Sequence, residues 1–124
     1  METIDDADAG RPVLDVARLR DLLGDDDELV ADVIQLYLDD YPQRLDAMVR
    51  AIQARDFARL RAEAHALKGS ASTLAGGRVA DAAHELEAVA ETGDIARAGH
   101  SLASLASAAA QLAAALRELQ AARL

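Results

Sequence analysis

The residues of this chain best suited to chemistry stand together in Arg61-Ala62-Glu63-Ala64-His65-Ala66-Leu67-Lys68-Gly69-Ser70-Ala71-Ser72-Thr73-Leu74. An imidazole with an ordinary pKa of about 6.5 is largely uncharged at neutral pH and is then a nucleophile. It can attack phosphorus and hold the group as a phosphoramidate, which stays reactive enough to pass the group on. Such a carrier needs an exposed ring, a fixed orientation and positive charge nearby to balance the about one to two negative charges gained. At helical spacing Lys68 shares a face with His65, Gly69 leaves the ring unshielded, and Ser72 is placed to donate to a phosphoryl oxygen. Arg61, one turn earlier, adds positive potential; Gln35 on an upstream helix could hydrogen-bond the same group, though it reads first as a solvated glutamine. Lys68 is the one lysine among 13 basic residues. Gly69 lies where glycine costs about 1 kcal/mol relative to alanine, in a chain that uses alanine freely.

The element that must carry these groups is a helix. Phe57, Leu60, Ala64, Leu67, Ala71 and Leu74 fall on one side at 3.6-residue spacing, and His65, Lys68, Gly69 and Ser72 fall on another. Asp56 is its N-cap, the helix runs from Phe57 to about Leu74, and Gly76 and Gly77 end it. Upstream, Glu28 to Arg55 reads as one helix bent near Tyr41 by Pro42, which lacks a donor and crowds the preceding turn. Its apolar face is read as Leu29, Val30, Val33, Leu36, Tyr37 and Tyr41, continued by Leu45, Met48, Val49 and Ile52. Asp25, Asp26 and Asp27 suit the start of that helix, where free amides and the dipole favour acids. A short helix from Val16 to Leu23, capped by Asp15 and stopped by Gly24, precedes it. Downstream, Arg78 to Thr92 turns Val79, Ala82, Leu86 and Val89 inward. After a Gly93-Asp94 turn, Ile95 to Gln120 carries Leu102, Leu105, Ala109, Leu112, Leu116 and Leu119 at alternating three- and four-residue spacing. Four long amphipathic segments with short connections predict an all-α fold, an antiparallel up-down four-helix bundle with one short extra N-terminal helix. Residues 14–124 form the domain, after a disordered acidic lead over 1–13.

Composition narrows the function. The chain has 124 residues, a net charge of −9 and no cysteine. An acidic chain is poorly suited to nucleic acid, where affinity comes from clustered cations. Disulfides and thiolate metal sites are excluded, and no pair of histidines has the spacing of metal ligands on one helix. No apolar run reaches membrane-span length, so a soluble, cytoplasmic, monomeric protein without membrane contact is expected. No glycine-rich nucleotide loop with a following lysine occurs, so the chain is expected to be no enzyme and to have no ATP site or kinase domain of its own. His84 and His100 have no lysine–glycine companion and read as surface histidines.

The run His65-Ala66-Leu67-Lys68-Gly69-Ser70-Ala71-Ser72-Thr73-Leu74 resembles the active-site helix of the histidine-containing phosphotransfer (Hpt) domains of two-component phosphorelays. The family signature is a histidine, a lysine three positions on, a glycine directly after it, then small residues and a leucine. The resemblance reaches upstream through Leu36 to Leu45 and downstream to Glu87, covering roughly Leu14 to Gly93. It departs at Ala75, where the family usually has a glycine straight after the leucine. The resemblance implies that His65 is phosphorylated through Nε2, supported by Lys68 and Gly69. It implies partners too: response-regulator receiver domains and an upstream hybrid sensor histidine kinase. The chain would need no cofactor, since the receiver brings Mg²⁺ and the phosphorylatable aspartate. Apolar residues flanking His65, with Arg55, Arg59, Arg61 and Lys68, would form the docking surface; the alternative is that these arginines simply pair with Glu63 and Asp56. A bundle that binds a partner without covalent chemistry is the alternative function, but such a degenerate domain would be expected to lose the histidine or its lysine–glycine pair. Ala66 argues against the dimerisation helix of a sensor kinase, where an acidic residue typically follows the histidine.

Overall fold

The computed structural model describes residues 11–122, whose secondary structure is entirely helical: α1 (Val16–Leu23), α2 (Asp27–Gln53), α3 (Phe57–Thr73), α4 (Gly77–Thr92) and α5 (Ile95–Ala122). The lead expected over 1–13 falls largely outside these residues. Its end is held: the Arg11 guanidinium meets Asp81 of α4 at 2.8 Å, and its carbonyl accepts from Arg78.

Local signals start the helices. The side chains of Asp15, Asp26 and Asp56 accept from the backbone N–H three residues on, at 3.0, 3.1 and 3.0 Å, each satisfying one amide that the first turn leaves free. The helix ends are built alike. After α2, Arg55 N–H donates to Ile52 and Asp56 N–H to Ala51; after α3, Ala75 donates to Ser72 and Gly76 to Ala71. This double closure needs a left-handed residue just past the helix. Arg55 (φ 56°) and Ala75 (φ 58°) supply it, so each is held under backbone strain that a glycine would not feel.

The core consists mainly of aliphatic side chains. Leu60, Ala64, Leu67 and Ala71 of α3 are fully buried against Ile34 and Met48 of α2, Val79, Ala83 and Leu86 of α4, and Leu105, Leu112 and Leu116 of α5. Each fully buried leucine contributes about 1.5–3 kcal/mol. Helix α2 runs unbroken through Pro42, which lies on the exposed side. Its inward face differs from the expected one. Ile34, Leu38 and Ala51 join the core, whereas Leu29, Val49 and especially Leu36, 68 % exposed, face out. The cause is tertiary: α2 packs against both α3 and α5. Buried Tyr37, stacked on Tyr41, donates its hydroxyl to the Ala109 carbonyl of α5, which fixes how α2 is rotated. No helix among the described residues is long and apolar enough to cross a membrane.

Candidate functional site

Because one side of α3 is sunk in the core, the edge carrying His65 and Lys68 lies beside α4. On α4, Ala83, Leu86 and Ala90 point inward, which sets Glu87 against α3. The His65 ring is 70 % exposed, yet its Nδ1 lies 3.0 Å from Glu87 Oε2. The Lys68 ammonium reaches the other carboxylate oxygen at 2.6 Å. Glu87 itself is only 13 % exposed. Burial pushes its carboxyl up, but the hydrogen bonds and charges of Lys68 and His65 outweigh this and hold it below the usual carboxylate range. A carboxylate only accepts, so the proton between the two residues belongs to Nδ1. In the neutral ring the lone pair then sits on Nε2, on the opposite edge from Glu87.

Glu87 is the site residue that sequence reasoning did not single out. It falls in the resembling stretch, but only the packing register of α4 on α3 puts it beneath the imidazole. Arg61, one turn before His65, meets Glu91, one turn after Glu87, at 3.1 Å. The two helices are therefore laced by successive ion pairs, and Arg61 is engaged there. Arg59 is likewise bound to Glu63, at 2.8 Å, and Arg44 of α2 meets the same carboxylate at 3.0 Å. The expected cationic surface is thus largely paired off within the domain.

Gly69 is exposed, and a Cβ built there would meet no other atom within 4 Å. Ser72 is exposed at the mouth of a cleft shared with Arg11, Arg18 and Gly76. Gln35 lies elsewhere: it donates to Asp39 and accepts from Gln120 of α5, so α2 turns it toward α5. A shallow groove of about 280 Å³ separates α2 from α3, with Leu36, Val33 and Tyr37 on one wall and Ser70, Thr73 and Leu74 on the other.

On this helical bundle an exposed imidazole thus has one nitrogen anchored on a largely covered acid. The sequence model of the Hpt domain matches residues 32–122, and the chain belongs to that family. Its fold is similar to the crystal structure of histidine-containing phosphotransfer protein B (HptB) from Pseudomonas aeruginosa PAO1, with a TM-score of 0.80 and 26 % identity over 86 % of this chain and 93 % of that one. No curated protein sequence matches the chain. The family and the HptB-like fold assign it a histidine phosphotransfer role in two-component signalling.

Proposed function

We propose that the chain carries a phosphoryl group on Nε2 of His65 between aspartates of receiver domains. The observation that carries this reading is the His65–Glu87 hydrogen bond beneath an otherwise exposed ring. The Nε2 lone pair attacks the phosphorus of a receiver's aspartyl phosphate. The N–P bond forms, the P–O bond breaks, and the aspartate leaves as a carboxylate. The ring becomes an imidazolium with its proton on Nδ1, where the negative charge of Glu87 stabilises it. The reverse step delivers the group to the next aspartate. Phosphoryl transfer needs positioning and charge balance more than covalent machinery, and Mg²⁺ is expected on the receiver.

The bare position at Gly69 gives a partner close access to the ring, and exposed Leu36 beside the α2–α3 groove offers apolar contact. Docking by this surface is transient, since a relay must release each partner, and the carrier acts as a cytoplasmic monomer. The test mixes the protein with a phosphorylated receiver and follows acid-labile, alkali-stable label. Label on the wild type and none on His65→Gln, with an unchanged helical circular-dichroism spectrum, is the expected result. Label that survives the substitution would place the site elsewhere.

A further inference from the structure

Glu87 has a second imidazole within reach. His84, one turn earlier on α4 and 75 % exposed, places its Nδ1 4.0 Å from Glu87 Oε1, too far for a hydrogen bond but directed at the same oxygen that Lys68 meets. That oxygen is shut off from solvent, so the Lys68 ammonium at 2.6 Å is what compensates its charge. In the resting site Lys68 and Glu87 cancel each other's charge, so the ammonium is not free to serve a phosphoryl group. Phosphorylation at His65 adds about −1.5 to −2 of charge beside it. If Lys68 turns to that charge, the carboxylate keeps the His65 ring on Oε2 but Oε1 is left buried with no ion partner of its own, which is costly.

We propose that His84 takes over this oxygen. On the carrier reading of His65, phosphorylation draws Lys68 to the phosphoryl oxygens. A protonated His84, its proton drawn from solvent, then donates Nδ1–H to Glu87 Oε1. The exchange swaps ion partners and neither makes nor breaks a covalent bond apart from that protonation. The other charged groups around His84 are committed or distant from the swap: Asp81 is held by Arg11 and Glu91 by Arg61. Glu85 is exposed. From α3 the cluster receives His65 and Lys68, and among the described residues α5 gives it no hydrogen bond or ion pair. His84 is thus a positioning residue that frees Lys68, and it acts only in its protonated form.

The test phosphorylates wild type, His84→Gln and His84→Lys with phosphoramidate and measures the phosphohistidine lifetime at about pH 6 and about pH 9. His84→Gln should shorten the lifetime about two- to fivefold at the lower pH, the effect of a largely exposed ion pair, and leave it unchanged at the higher. His84→Lys, a permanent cation, should match wild type at the lower pH and outlast it at the higher. Nitrogen-15 spectra at the lower pH should show a hydrogen-bonded His84 Nδ1–H only after phosphorylation. Three equal lifetimes at both pH values, or no new His84 signal on a protein labelled at His65, would overturn the exchange while leaving the carrier intact. Failure of His65 to take the label would overturn the carrier reading, and this inference with it.

Discussion

Nδ1 of His65 on α3 and Oε2 of Glu87 on α4 lie 3.0 Å apart, so the imidazole is oriented by the neighbouring helix and not by its own. Glu87→Gln keeps an accepting oxygen but removes the charge. A charge-assisted hydrogen bond is about twice as strong as a neutral one, and receiver-to-His65 transfer should slow about tenfold with unchanged helicity. Rapid-quench label transfer measures it; an unaltered rate would mean that orientation alone suffices.

Gly69 presents a different balance. Nothing in the domain occupies the space its Cβ would take, so the domain's own packing does not demand glycine. Gly69→Ala should therefore stabilise the fold by about 1 kcal/mol, seen as a higher urea midpoint. Gly69→Leu should slow transfer from a receiver while the urea midpoint does not fall below wild type. Transfer as fast as wild type would remove Gly69 from the docking surface.

The left-handed residues closing α2 and α3 are targets for stabilisation. Arg55→Gly should add about 1 kcal/mol by removing Cβ strain. Ala75→Gly should add less, because the Ala75 methyl is partly packed on the core. Thermal melts of both variants decide this, and a lower melting temperature for Arg55→Gly would show that the strain is already relieved.

Acid should unfold the domain through two carboxylates. For Glu63, burial raises the carboxyl, but the hydrogen bonds from Arg59 and Arg44 prevail and hold it below its usual range; Glu87 behaves the same way. Both are therefore lower in the folded chain than in the unfolded one, so below the ordinary value of 4.5 the unfolded chain binds more protons. Their stabilisation is present above that value and is lost as pH falls through the folded-state range. Denaturant melts between about pH 6 and about pH 3 should show this decline. Glu63→Gln and Glu87→Gln should each flatten it.

Much of this was legible in the sequence where the signal is local. The caps at Asp15 and Asp56, the stops at Gly24 and Gly93, the α5 leucine seam and the His65-Lys68-Gly69 run each depend on residues within a turn or two of one another. What escaped depends on how helices sit against one another. Leu29, Leu36 and Val49 are as apolar as Ile34, and a helix packed on two neighbours has apolar residues over too wide an arc for periodicity to choose the inward ones. For the same reason periodicity leaves Gln35 open between the His65 side and solvent; it is exposed and bonded to Asp39 and Gln120. Glu87 looked like any other surface acid until the α3–α4 register was known.

The turn between α3 and α4 has its own dependence on α5. At Gly76 a Cβ would lie 2.5 Å from the Leu112 side chain, so the fifth helix serves as a backstop against which the α3–α4 hairpin rests. A methyl group added there would have to displace either the buried Leu112 side chain or the turn itself. If the turn gives way, a carrier built on His65 would lose its footing with His65, Lys68 and Glu87 all still in the sequence.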